Sequence, residues 1–348
     1  MNLQKKTKLY KSIKVPIIIP LTILFILLFS IIIILSSCKQ DTNSKSKAIQ
    51  KTNFALDTII QITIYDSTDE SLIDKSFTLC TEYENKLSRT KEGSEIYNLN
   101  KNGEGDVSRE TLELIQKGLY YSELSDGNFD ITIYPVSSLW NFNENKLPNP
   151  DSIAEAIKKV NYKKVEINGN HITFNEAGMG IDLGAIAKGY IADKIKEYLV
   201  GEGVTSAIIN LGGNVLCIGK NVNGNNFGIA VQKPEKDSSE VVEVLSIDGK
   251  SVVSSGNYER TITVDGKNYH HILNPKTGYG YENGVLEVSI ISSSSVDGDG
   301  LSTTCFSLGV EDGLKLLNSI DNAYGMFIDA DGTKYYSDGF KEFIKNNN

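Results

Sequence analysis

Three short stretches hold the residues that could do chemistry. The first is 178–193, GMGIDLGAIAKGYIAD, in which Gly178, Gly180 and Gly184 join a strand-like segment (171–174) to a helical pattern. Asp182 stands where a helix cap belongs, and Ala187, Ile191, Ile195, Tyr198 and Leu199 recur behind it at helical spacing. Lys188 then falls in the first turn, where the positive end of the helix dipole disfavours a cation. An anionic ligand would resolve that conflict; a lysine reaching solvent is the plain alternative. The spacing G-x-G-x-x-x-G is not the dinucleotide fingerprint, and the next strand, 207–211, carries Asn210 in place of a ribose-binding carboxylate. An ordinary Rossmann site is therefore not expected.

The second stretch, VDGDGLSTT (296–304), offers Asp297, Asp299, Ser302 and Thr303 as hard oxygen ligands, a set that suits magnesium more than zinc or copper. It lacks the ligand series of an EF-hand, and a Gly/Asp turn followed by a capped helix would read the same way. The third stretch holds two adjacent histidines, His270 and His271, ahead of an Asn-Pro-Lys-Thr-Gly turn. In a strand neighbours face opposite ways, so at most one of them enters a given cleft. A structural histidine is the alternative at either position. No G-x-S-x-G elbow, Walker A loop or H-E-x-x-H helix is present. Together with the aromatic segment around Trp140, these are parts that could grip a nucleotide diphosphate.

Positioning them requires a scaffold, and the sequence specifies much of it. Residues 58–65 alternate as a strand with Ile60, Ile62 and Ile64 on one face. Ile73, Phe77, Cys80, Tyr83 and Leu87 mark a helix after the cap-like Asp66 and Ser67, and 108–124 marks a second with Leu112, Ile115 and Leu119 on one face. Ser152 and Glu155 form a capping-box pattern for a short helix. Beyond residue 163 the chain turns mostly to strands, with hairpin signals at Asn168-Gly169, Asp265-Gly266 and Asp331-Gly332. The expected fold class is α+β: a single compact catalytic domain, 53–345, of antiparallel sheets with packed helices.

A chain of 348 residues has ample length for a core, and its net charge of −9 excludes a nucleic-acid partner of the usual kind, which needs a basic face. Cys38, Cys80, Cys217 and Cys305 are widely spaced, without metal-site spacing; the last three sit in apolar surroundings and read as buried thiols. At the N-terminus, five lysines precede an uncharged apolar run, 15–35, that ends in Leu35-Ser36-Ser37-Cys38. This looks like a lipobox. The expected organisation is a lipoprotein signal peptide at 1–37, a tether at 38–52 lipidated on Cys38, and a cell-membrane location facing outside the cytoplasm. An uncleaved transmembrane anchor is the alternative.

The order of the segments adds what no single one carries. FDITIYPVSSLWNF (129–142), IDLGAIAKGY (181–190), NLGGN (210–214), SGNYER (255–260), HILNPKTG (271–278) and DGLST (299–303) closely resemble, in sequence and order, the ApbE family of FAD:protein FMN transferases, over roughly residues 52–340. The resemblance implies magnesium-dependent cleavage of FAD at its pyrophosphate, release of AMP, and attachment of FMN to a threonine of a partner flavoprotein subunit through a phosphoester. It implies that Asp182 and Lys188 contact FAD. Trp140, Asn141, Phe142 and Ile272 would line the flavin or adenine site. The metal would take the Ala185 carbonyl and the side chains of Asp299 and Thr303, with Ser302 close by, and His271 would accept a proton. The family's M-G-T appears as Leu56-Asp57-Thr58, keeping an apolar residue for the ligand but losing the glycine. Asn274 replaces the aspartate of the I-D-P turn, and the aromatic residue often found near Thr90 or Lys91 is missing, which implies a looser pocket on that side. Water in place of threonine would make the protein an FAD pyrophosphatase, and retention without cleavage would make it an FAD-binding lipoprotein.

Overall fold

Alternating isoleucines in the sequence become the inner face of a long antiparallel sheet. The computed structural model describes residues 48–235 and 238–345. The basic start, the apolar run and Cys38 lie outside them, and among the described residues no helix is long and apolar enough to cross a membrane. Strands β1 (Ile49–Ala55) and β2 (Thr58–Ile64) form a hairpin that opens the fold, so the folded part begins inside the stretch expected to be tether. Ile60, Ile62 and Ile64 of β2 are all fully buried, as their alternation requires. The two-residue turn Leu56-Asp57 has φ of 55° and 56°. A left-handed pair is what a tight hairpin demands, and aspartate is one of the few residues besides glycine that tolerates it, which accounts for Asp57 where the family places glycine.

Helices α1 (Ser71–Leu87), α2 (Glu95–Asn102) and α3 (Arg109–Leu124) follow, with β3 (Glu104–Asp106) between the last two. The expected cap of α1 is not used: Asp66 accepts the backbone N–H and hydroxyl of Thr205 instead, both at 2.7 Å, and the helix starts later. After the short α4 (Tyr134–Ser137) comes α5 (Pro150–Ile157), capped by Asn149 with proline at its first position rather than by Ser152. Strands β4 (Val165–Asn168) and β5 (His171–Phe174) make the expected hairpin.

The rest of the chain completes the sheet. Helix α6 (Ala187–Gly201) leads to β6 (Ala207–Leu211) and β7 (Asn214–Ile218), then β8 (Phe227–Gln232), β9 (Val241–Ile247), β10 (Ser251–Gly256), β11 (Thr261–Val264), β12 (Lys267–His270) and β13 (Val285–Ser292). Helix α7 (Ser295–Leu317) precedes β14 (Ala323–Asp329) and β15 (Lys334–Tyr336). The large sheet has the order β1-β2-β6-β7-β10-β13-β14-β15 with every pairing antiparallel. Both its faces are covered. Val288 and Ile290 of β13 join the core shared with α1, α6 and α7, while Ile291 points the other way, to Phe227, Ile229 and Leu245 of the β8–β9 hairpin. The α+β class of the expectation is the observed one.

Candidate active site

The stretch expected to be a metal loop is the first turns of α7, so its residues fan out around a helix. Asp297 is turned away from Asp299: its carboxylate accepts the Tyr121 hydroxyl at 2.6 Å and pairs with Lys117 at 2.5 Å. It is not part of the candidate metal set. Asp299 is buried, not a surface residue, with only 4% exposure. Its Oδ2 accepts the Gly189 N–H at 2.5 Å and its Oδ1 accepts the Asn214 side-chain N–H at 2.9 Å. Burial raises its pKa, and Lys188 works against that rise.

This placement depends on how closely α6 meets α7. A Cβ on Gly189 would lie 2.2 Å from the Ser295 carbonyl oxygen, so only glycine allows the contact. On the same face of α6, Asp193 accepts the N–H groups of Ser295 and Val296 at 2.9 Å each, capping α7 from its neighbour. Two bonds from α6 thereby fix the register of the helix that carries Asp299.

Asp182 does not cap α6. Residue 186 occupies the cap position without a side-chain bond, and the Asp182 carboxylate accepts Gly184 N–H at 3.0 Å and Ser137 Oγ at 2.7 Å and forms an ion pair with Arg89 at 2.9 Å. Lys188 does sit in the first turn of α6, where its Nζ donates only a long bond, 3.5 Å, to the Gly212 carbonyl.

These groups converge on a cleft of about 820 Å³, a volume suited to a dinucleotide-sized ligand. Of the expected site residues, Leu56, Trp140, Phe142, Asp182, Ala185, Lys188, His271, Ile272, Asp299 and Thr303 line it. Two do not. Asn141 is exposed and bonds its own loop, accepting from the Asn143 N–H. Ser302 is fully buried behind the wall, donating to the Asp299 carbonyl at 3.0 Å and bonded to Ser255 at 2.8 Å. Ser255, which lies 3.4 Å from the Thr303 hydroxyl, takes the place on the wall. Trp140 stacks on Phe142 with ring centroids 5.4 Å apart and planes 7° apart, and its indole N–H donates to the Gly278 carbonyl. The stack is an apolar shelf at one end of the cleft.

The two histidines have different surroundings: His270 is the last residue of β12, and His271 lies in the bend that follows. His270 is buried, with Nε2 against the Tyr281 carbonyl at 2.8 Å and Nδ1 accepting the Ile272 N–H. Both of its nitrogens are used by the fold. His271 lies on the cleft wall, edge-on to Phe142, and its buried Nδ1 has no hydrogen-bond partner among the described residues. Burial, with Arg260, His270 and Lys188 nearby, pushes its pKa down to about 3, so the ring is neutral at physiological pH.

Magnesium chemistry is compatible with this wall. Among the described residues no three His, Cys, Asp or Glu side chains form a metal-holding group. One carboxylate, one hydroxyl and one carbonyl are nevertheless the kind of partial oxygen set that magnesium completes with water and substrate phosphates. Arg89, Asn214, Ser255 and Gly189 were not singled out by role from the sequence. Asn214 and Ser255 lie inside recognisable segments, but nothing in the sequence reports which partner they meet.

The ApbE family model matches residues 56–328. The chain belongs to the ApbE family. Among its relatives, an FAD:protein FMN transferase of Klebsiella pneumoniae is 36% identical over 270 residues, covering 75% of this chain and 83% of the relative. One from Treponema pallidum is 28% identical over 326 residues, covering 87% and 90%. The crystal structure of the ApbE protein of Thermotoga maritima superposes with a TM-score of 0.79 at 30% identity, covering 86% of this chain and all of that one. The flavin transferase ApbE of Vibrio cholerae, at 24% identity, shares the fold with a TM-score of 0.78 over 85% of this chain and 99% of that one. Each of the six ApbE segments named from the sequence contributes residues to the wall of the cleft.

Proposed function

We propose that this chain transfers FMN from FAD to a threonine hydroxyl of a partner redox protein and releases AMP. The observation that carries the reading is the convergence of Asp299, Thr303, Lys188 and His271 on one cleft beside an aromatic shelf. The acceptor oxygen forms a bond to the phosphorus on the FMN side, the anhydride P–O bond breaks, and the electron pair leaves with AMP. The hydroxyl proton passes to a base, and His271, neutral and on the cleft wall, is the candidate for that role. An imidazole this weakly basic gains basicity when negative charge settles beside it, and a bound pyrophosphate brings that charge.

Asp299, Thr303 and the Ala185 carbonyl would hold magnesium, which when bound supplies neutralising charge at the pyrophosphate oxygens. Lys188 adds a second positive group from the first turn of α6. Lys188→Ala is expected to weaken FAD by about 1.5–3 kcal/mol, the worth of a bond to a charged group, and to leave riboflavin binding almost unchanged. Calorimetry with both ligands decides this, because equal losses would move the lysine to a role in the fold or the ring pocket.

The test of the whole reading is mass spectrometry of an acceptor domain carrying a threonine flavin-attachment site, after incubation with FAD and magnesium. An acceptor heavier by one FMN supports transfer. Free FMN and AMP with an unmodified acceptor would favour hydrolysis, and intact FAD would favour storage.

The basic start, apolar run and lipobox-like residues 35–38 support a lipid anchor on Cys38 that holds the domain on the outer side of the cytoplasmic membrane. Cys38→Ala should block lipidation and processing. Normal processing of that variant would favour a plain transmembrane anchor.

A further inference from the structure

The structure assigns Arg89 as a phosphate-gripping residue of this cleft, held in place by Asp182; the assignment rests on the FAD reading above. Arg89 follows α1 in the chain and lies on the cleft wall. Its Nε forms an ion pair with Asp182 Oδ2 at 2.9 Å, and its guanidinium lies 5.9 Å from the centre of the Tyr134 ring. Neither of its terminal nitrogens donates a hydrogen bond among the described residues. An arginine oriented by an ion pair, with its fork free of hydrogen bonds, is prepared for two parallel bonds to a phosphate.

Asp182 lines the cleft itself and also braces Arg89. Its carboxylate accepts from Ser137 and Gly184 and pairs with Arg89. It ties Arg89 to the segment that runs into α6 and Lys188, so that cations from two parts of the fold serve one cleft. The need for both is electrostatic. Asp299 and Glu259 also face this space, and a pyrophosphate adds further negative charge. Among the described residues the permanent cations on the wall are Arg89, Lys188 and Arg260. Arg89 is the one that carries an ion pair fixing its direction. It also stands beside Thr90, where the aromatic residue of the resemblance is missing, so that side of the pocket is charged rather than simply loose.

The test compares native protein with Arg89→Gln and Arg89→Lys by titration calorimetry, using FAD, inorganic pyrophosphate and riboflavin without added metal. Arg89→Gln should weaken FAD and pyrophosphate by about 10- to 100-fold, the range for a charge-assisted bond, and leave riboflavin unchanged. Arg89→Lys should fall between the two, since it keeps the charge and loses the fork. Native affinity for FAD in Arg89→Gln overturns the assignment, as does an equal loss for riboflavin, which would make Arg89 a support of the pocket. Failure of acceptor labelling in the native protein alongside a loss of pyrophosphate affinity in Arg89→Gln would count against FMN transfer while leaving the phosphate grip in place. Labelling of the acceptor with unchanged affinity in Arg89→Gln would remove Arg89 alone.

Discussion

Replacing Asp299 with alanine is expected to reduce turnover of FAD at least about a thousandfold, the rate equivalent of roughly 4 kcal/mol, because it removes the one carboxylate of the candidate metal set. The variant will also be less stable. Gly189 N–H and the Asn214 side-chain N–H both end on this carboxylate, and buried donors left without an acceptor cost about 1–3 kcal/mol each. A loss of activity alone therefore proves little. The informative pair of measurements is melting temperature with and without magnesium, and turnover well below the melting temperature of the variant. Native protein should be stabilised by magnesium, as any ligand of the folded state stabilises it, and Asp299→Ala should not. Full turnover by a folded Asp299→Ala protein, or indifference of the native enzyme to chelators, would remove the metal role from this residue.

The misreading of this region from sequence has a physical cause. Asp-Gly-Asp-Gly is loop-like in composition because glycine weakens helices by nearly 1 kcal/mol relative to alanine. Here it lies within α7. A Cβ at Gly300 would lie 2.2 Å from the Tyr121 ring, so the helix carries glycine to come this close to α3. Tertiary packing overrides propensity, and a helix with a close-packed glycine face resembles a turn until its neighbour is known. By contrast, Ile60, Ile62 and Ile64 were legible because alternation reports one buried face without reference to any partner. The antiparallel hairpins were legible for the same reason, since their turn chemistry is local.

The site divides along the same line. Lys188, His271 and Thr303 were recoverable because their segments carry distinctive residue patterns, and each reaches the cleft. Arg89 was not, since Leu-Ser-Arg-Thr is an unremarkable end to a helix. Its meaning comes from Asp182, far along the chain, which the sequence offered as a helix cap and the fold uses to hold an arginine. Asn141 failed in the opposite way: its neighbours Trp140 and Phe142 turn inward as a stacked pair, and the residue between them turns out.

His271 and His270 supply the sharpest contrast that the fold offers. His271→Ala is expected to slow acceptor labelling by about 10²–10⁴-fold, the usual worth of a positioned acid or base, with a much smaller effect on FAD affinity. His270→Ala should leave the chemistry nearly intact and instead cost stability, because both its ring nitrogens bond the chain at Tyr281 and Ile272. The pH behaviour adds a second signature. Free His271 has its pKa held near 3 by burial and by Arg260, His270 and Lys188, so kcat/KM, which reports the free enzyme, should show no acid limb near 6.5 from this residue. Its contribution to stability has a defined sign as well. Between the unfolded value of about 6.5 and the folded value near 3 the unfolded chain binds the extra proton, so stability falls as the pH drops through that window and is complete above it. His271→Ala should remove this part of the acid sensitivity. The unpartnered Nδ1 sets one more condition: for Nε2 to receive the proton, Nδ1 must carry a hydrogen that the fold leaves unbonded, a penalty of about 1–3 kcal/mol unless the substrate or the acceptor brings a partner. Single-turnover mass spectrometry of the acceptor at saturating FAD and magnesium, run on both variants, measures the outcome. Near-native labelling by His271→Ala would eliminate the histidine as the base and turn attention to a carboxylate of the same wall, with Glu259 the first to replace.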